Sequence, residues 1–379
     1  MSLEILSIGT AIPEHSIEQW DAASMGLSIC TQSKTHSRVL PELYRRSGVR
    51  TRHLVVLDRS TNGTVARQSF YAPASSPDDR GPTTAGRMQL YEDHVMPLGA
   101  AAATDALADS DISASEITHL VTVSCSGFSA PGFDIALIGE LGLSADVART
   151  HVGFMGCHAA LNGLRVMKAF TDADPAARVL LCAVELCSLH QQYGWNPDQI
   201  VSNALFADGA AAVVGRRAHD DDESAWRLAA SGSTVIPGTT DAMSWRIGDH
   251  GFQMTLSPRV PDLIRQHLRP WLGEWLAASG LAIGDIGSWA VHPGGPKVLS
   301  ATAEAAGFAP SLLEPSRQIL ADFGNMSSPT VLFIIDKLRR SGAPRPCASR
   351  SEEHTSELQS RRNLVCRLLL GKKNAESNH

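Results

Sequence analysis

Apolar residues recur along this chain with two different periods. Ala160, Leu161, Leu164, Met167 and Phe170 fall at helical spacing and predict a helix that opens just after Cys157. Residues 91–107, 260–276, 297–306 and 330–338 read as further helices, the last almost wholly apolar with Pro329 early in its first turn. Short apolar runs at 4–9, 119–124, 179–185, 226–231 and 286–291 read instead as strands. Strands alternating with helices in this way predict an α/β protein. Residues 58–86, polar and interrupted by glycine and proline, read as an excursion that adds little core. Pro237 and Gly238 mark a linker in the second half.

Composition narrows what such a fold does. A chain of 379 residues, 43% of them hydrophobic, can bury two sizeable half-domain cores. A formal charge of -6, with no basic stripe carrying interleaved aromatics, argues against nucleic acid. With no N-terminal signal sequence and no run of eighteen apolar residues, a soluble cytoplasmic protein without a membrane span is expected. Seven cysteines without a repeated C-x-x-C pattern fit reduced thiols better than a disulfide framework or a zinc site, and the histidines show no metal-ligand spacing.

Three separated segments carry the chemistry. In Gly153-Phe154-Met155-Gly156-Cys157-His158, Cys157 falls where a glycine-punctuated segment turns into a helix. Unpaired N–H groups and the helix dipole favour a thiolate there, which predicts a pKa below the free value of about 8.5 and a usable nucleophile. A buried structural cysteine is the alternative. His292 ends the apolar run 286–291 and precedes Pro293-Gly294-Gly295-Pro296, a turn that presents the imidazole at a strand end. A core histidine satisfied by a carbonyl is the alternative there. Asn325, in Phe323-Gly324-Asn325-Met326-Ser327-Ser328-Pro329, lies in a loop ahead of the apolar helix, as a helix cap or as a donor to a developing oxyanion. Thiol, imidazole and carboxamide together are the minimum set for acyl transfer and decarboxylation.

On these three motifs the chain resembles the bacterial type III polyketide synthases, the family of chalcone synthase, from about Leu3 to about Ser341. The resemblance implies a thiolase-like αβαβα fold of two similar halves, with a first half at 1–218 carrying the nucleophile and a second at 219–345 carrying His292 and Asn325. It also implies a reaction. Cys157 takes an acyl group from a starter acyl-CoA, malonyl-CoA loses carbon dioxide to an enolate held by His292 and Asn325, and the carbanion attacks the thioester before ring closure. A β-ketoacyl carrier-protein synthase of the initiation type shares the same three residues, but Phe206 and Gly324-Asn325-Met326-Ser327-Ser328 favour the first reading. The remaining alternative is a non-catalytic remnant.

Further positions follow from the same resemblance. Phe206 matches the family's gatekeeping phenylalanine, and Met254 aligns with a second gatekeeper, with Phe252 two residues before it. The segment 123–132, which holds Cys125 and Ser126, matches one that lines the pocket and reaches a homodimer interface; Ala130 stands where chalcone synthase has methionine. Cys187 and His190 fall where chalcone synthase places cavity threonines. Arg46 is the best match to the basic residues that hold CoA, with Gly294 and Gly295 leaving room for it, and no cofactor beyond the CoA thioester substrates is expected. After Arg340 the family's two strands and its Gly-Phe-Gly-Pro-Gly turn have no counterpart, and residues 350–370 resemble the translation of a sequencing adapter. The sequence therefore predicts an incomplete C-terminal half and a non-native tail at 346–379.

Overall fold

A computed structural model describes residues 3–30, 33–59, 67–218 and 226–341; the expected tail at 346–379 lies outside the described residues. The chain opens on β1 (Leu3–Ala11) and β2 (Ser16–Glu18), followed by helices α1 (Gln19–Cys30) and α2 (Lys34–Arg45) and by β3 (Thr51–His53), which pairs with β2. The long α3 (Thr84–Ala108) leads to β4 (His119–Ser124), α4 (Phe133–Leu141), β5 (Ala148–Gly153) and α5 (Ala159–Ala173). Then come β6 (Arg178–Leu186), α6 (Pro197–Leu205), β7 (Asp208–Arg217) and β8 (Trp226–Leu228).

Six of these strands form one sheet in the order β5-β4-β6-β7-β1-β8. β4 runs parallel to β5 and β6, whereas β7 is antiparallel to both β6 and β1. The two central strands are buried nearly end to end because helices cover both faces, which is why their sequences read as continuous apolar runs rather than alternating ones. Glycines permit the closest approaches. A Cβ at Gly9 would lie 2.3 Å from the Ala102 carbonyl of α3, and one at Gly163 of α5 would lie 2.3 Å from Leu181 Cδ1. Gly99 of α3 faces Cys182 and Val184 while Gly163 faces Leu181, so α3 and α5 lie on opposite faces of β6.

The second part of the chain begins with a hairpin of β9 (Met243–Gly248) and β10 (Gly251–Leu256). Four helices follow: α7 (Val260–Ala277), α8 (Pro296–Ala306), α9 (Glu314–Phe323) and α10 (Ser328–Arg340). Helices α7 and α8 share a smaller apolar cluster in which Ile264, Leu268 and Leu272 join Leu299 and Ala303. Helix α10 behaves differently. Ser328 to Asp336 are all buried, and Val331, Leu332, Ile334 and Ile335 join the main core, so this helix packs beside α5 against the first sheet. No helix among the described residues is long and apolar enough to cross a membrane.

Three expectations change. The run at 226–231 does form a strand over Trp226–Leu228, but it pairs with β1 at the edge of the first sheet rather than founding a second one. Residues 286–291 form no ladder, because the described residues place no strand beside them; Trp289 and Ala290 are nevertheless buried, and Trp289 stacks on Phe308 at 4.6 Å. The excursion is less peripheral than its polarity suggests, since Tyr71 is buried and its hydroxyl donates to the Ser188 carbonyl at 2.7 Å.

Candidate active site

Strand β5 delivers the chain to Cys157 through two left-handed turns. Phe154 has φ 54 and Gly156 φ 66, and a 3₁₀ turn over Gly156–His158 then runs into α5. A Cβ at Gly156 would meet nothing within 4 Å, so glycine serves there for its dihedral and not for space. The non-glycine left-handed conformation at Phe154 costs on the order of 1–3 kcal/mol, a strain typical of residues that set a nucleophile. Cys157 thus sits at a helix entrance, as its sequence context predicts. Its ionisation does not follow that prediction. Burial pushes the thiol up to about 11; hydrogen bonding to Ser327 and Asn325 pulls it down, and the charge of Glu185 pushes it up again. Removal from water outweighs the dipole of α5.

Asn325 is fixed on both its backbone and its side chain. It forms an isolated parallel bridge with Phe206: the Asn325 N–H donates to the Leu205 carbonyl at 2.8 Å, and the Ala207 N–H donates to the Asn325 carbonyl at 2.9 Å. Gly324, at φ 74, allows this crossing where a Cβ would press on Arg52 and Ala207. The Asn325 Oδ1 accepts the Ser327 N–H at 2.8 Å, so the carboxamide turns its NH2 toward the thiol. The cap residue of α10 is Ser327 rather than Asn325, at φ 54 and ψ -125 with no side-chain cap bond. Its hydroxyl lies between two thiols, 3.7 Å from Cys125 Sγ and hydrogen-bonded to Cys157.

His292 closes the unladdered run 286–291. Its carbonyl accepts the Gly294 N–H at 3.1 Å, and Gly295 begins α8 at φ 149, 3.8 Å from Leu205 Cδ1 by its constructed Cβ. The same Leu205 carbonyl receives Asn325. Both imidazole nitrogens are buried without a hydrogen-bond partner among the described residues, and burial pulls the ring down to about 4, so it is neutral at physiological pH. Among the described residues no carbonyl accepts from it, so the structure does not show the bond that a core histidine would make. Two buried orphan nitrogens are costly in a resting protein and suit a ring that awaits a ligand.

Next to Phe206 lies a small recess with Cys187, His190, Phe206, Phe252 and Met254 on its wall. Trp245 closes one side. Its Nε1 donates to the Cys125 carbonyl at 2.8 Å, and its ring meets His190 and Phe252 edge-on at 5.2 and 5.8 Å. His190 stacks on Phe252 at 4.2 Å; its Nδ1 accepts the Phe252 N–H at 3.0 Å, so its Nε2–H donates to the Ser126 carbonyl at 2.6 Å. With both nitrogens spent and burial lowering it to about 3, His190 offers the recess a ring face and no proton. Cys125 and Ser126 do not line the recess. The Ser126 hydroxyl lies behind it, donating to Glu185 at 2.7 Å and accepting the Leu186 N–H at 2.8 Å.

Glu185 is the largest omission of the sequence reading. It is wholly buried at the end of β6 and accepts the Cys125 N–H at 3.0 Å, the Ser126 hydroxyl and, on its other oxygen, the Ser328 hydroxyl at 2.8 Å. Burial raises its pKa despite these bonds. It ties β4, β6 and the start of α10 together behind the thiols. A single acidic residue closing an otherwise apolar strand was the available signal. Arg46, by contrast, is exposed and paired with Glu42 at 2.6 Å, and the same carboxylate also holds Arg45.

Residues 2–217 match the N-terminal domain of the chalcone and stilbene synthases, and residues 227–357 match their C-terminal domain. The chain is 32% identical over 337 residues to an alpha-pyrone synthesis polyketide synthase-like protein of Mycobacterium tuberculosis, covering 88% of this chain and 83% of that one. It is 33% identical over 344 residues to the 1,3,6,8-tetrahydroxynaphthalene synthase of Streptomyces peucetius subsp. caesius, covering 90% and 87%. Among solved structures it is similar to PKS-I from the brown alga Ectocarpus siliculosus, with a TM-score of 0.83, 27% identity and 90% of each chain covered.

Proposed function

The chain belongs to the chalcone and stilbene synthase family, a type III polyketide synthase of thiolase-like fold that condenses malonyl-CoA, and from that premise we propose which residues do the work. Cys157 is the nucleophile. Its proton passes to the neutral His292, the sulfur attacks the carbonyl of a starter acyl-CoA, and the CoA thiol leaves with that proton. Malonyl-CoA then loses carbon dioxide, and the electron pair left behind is delocalised onto the thioester oxygen. His292 and the Asn325 NH2 donate to that oxygen. The carbanion attacks the Cys157 thioester and the Cys157 sulfur departs, which leaves the extended chain on CoA; that sulfur then attacks the CoA thioester, the CoA thiol leaves with a proton, and the chain is back on Cys157 for the next round or for ring closure.

The observation that carries this reading is the locked carboxamide of Asn325. With Oδ1 held by the Ser327 N–H, only donor hydrogens face the thiol, which suits a developing oxyanion. Phe206, bridged to Asn325, is assigned to water exclusion and malonyl placement. Cys125, Ser126, Cys187, His190, Phe252 and Met254 are assigned to the cavity or its backing, and Arg46, Gly294 and Gly295 to the CoA end. A homodimer in the cytoplasm is the proposed assembly, supported by the exposed Phe128, Phe154 and Met155 at one end of the β4–β5 pair. The test is incubation with malonyl-CoA and a panel of acyl-CoAs. An acyl adduct on Cys157, released carbon dioxide and the loss of the adduct in Cys157→Ala are expected; acylation from carrier-protein thioesters alone would overturn the reading.

A further inference from the structure

Three long polar residues follow one another on the recess wall, His190, Gln191 and Gln192, and all are buried. Two are saturated. The His190 nitrogens are spent on Ser126 and Phe252, and the Gln192 Nε2 donates to the carbonyls of His190, His250 and Phe252 at 3.0 to 3.3 Å. Gln191 is the exception. It is 3% exposed, and neither its Oε1 nor its Nε2 has a partner among the described residues. Its backbone is nonetheless fixed. The fully buried Arg87 donates from Nη1 to the Gln191 carbonyl at 2.9 Å and to the Leu189 carbonyl at 2.6 Å, and from Nε to the Pro82 carbonyl at 3.0 Å. Backbone angles at Gln191 of φ -57 and ψ 135 are ordinary, so no strain accounts for the placement.

We propose that the Gln191 carboxamide recognises the 1,3-dicarbonyl unit of the growing chain and makes the recess selective for β-ketoacyl over saturated acyl groups. A carboxamide presents one donor set and one acceptor. The enol tautomer of a β-diketone presents a carbonyl oxygen to the first and an enol O–H to the second, whereas a saturated chain presents neither. An unpaired buried amide is penalised until such a ligand arrives, so the preference comes as much from the empty site as from the filled one. The proposal rests on the polyketide reading above and adds a residue to it.

The experiment uses the full chain carrying Cys157→Ala, which cannot be acylated, and titrates it calorimetrically with acetoacetyl-CoA and with butyryl-CoA. About tenfold tighter binding of acetoacetyl-CoA is expected, a discrimination of the size one buried hydrogen-bonding group supplies. In the Gln191→Leu background the preference should fall to twofold or less with butyryl-CoA affinity kept. Leucine fills the same volume without polar atoms, so the melting temperature should hold or rise; Gln191→Met replaces it if the leucine variant does not fold. An undiminished preference, or an ordered water as the amide's only partner in the acetoacetyl-CoA complex, overturns the proposal. Carbon dioxide release from malonyl-CoA by the Cys157 chain tests the underlying reading separately: release without the preference refutes Gln191 alone, and neither release nor acyl-CoA binding refutes the reading itself.

Discussion

At Cys157 burial and hydrogen bonding oppose each other, and burial wins. A thiol raised to about 11 gains thiolate with every unit of rising pH, so carbamidomethylation of the Cys157 peptide should climb from pH 7 toward 11. A plateau near neutrality would contradict this. Ser327→Ala removes the strongest lowering partner and should slow alkylation further at fixed pH. His190 makes a second test. Its folded pKa of about 3 lies below the unfolded value of about 6.5, so the unfolded chain binds the extra proton and stability falls as pH drops through that window. Between pH 7 and 5 the parent should lose about 2 kcal/mol more than His190→Asn, read from urea midpoints. The sequence singled out Cys157, His292 and Asn325 as candidates because each sits in a motif with its own turn chemistry. It could not show Glu185 or Gln191 in their roles, since what distinguishes them is which neighbours are bonded and which are not.

Among the elements, those defined by local periodicity were readable. The helices expected at 260–276 and 297–306 appear as Val260–Ala277 and Pro296–Ala306. A strand is a different matter, because it exists only if another chain segment lies beside it. Residues 286–291 have strand composition and no partner among the described residues, and 226–231 found a partner in the other half. Helix-to-sheet spacing is equally non-local. At Gly9 a methyl group would meet the backbone of α3, which cannot step aside, and Gly9→Ala should destabilise by about 1–3 kcal/mol. A Cβ at Gly139 in α4 would meet nothing within 4 Å among the described residues, and Gly139→Ala should stabilise by up to about 1 kcal/mol. Chemical denaturation of the two variants checks both signs, and equal effects would refute the packing account.

Across the described residues the two larger apolar clusters differ in how their backbones are held. β6 is paired on both sides, whereas 286–291 relies on isolated bonds such as the Val291 N–H to Ser316 Oγ at 3.2 Å. Hydrogen exchange should therefore protect 179–185 by orders of magnitude more than 287–291; equal protection would mean that the smaller cluster is held by more than side-chain packing. The destination of α10 was not legible in the sequence, for an apolar helix does not say which core it will enter. That destination bears on biosynthesis. A nascent chain can complete the sheet around Cys157 while the carboxamide and the hydroxyl that belong beside its sulfur are still inside the ribosome, because both are carried by the loop that α10 seats. Until that helix emerges and docks, the Cys157 sulfur lacks the neighbours that face it in the complete fold and is less shielded from water, so it ionises more readily than in the complete chain.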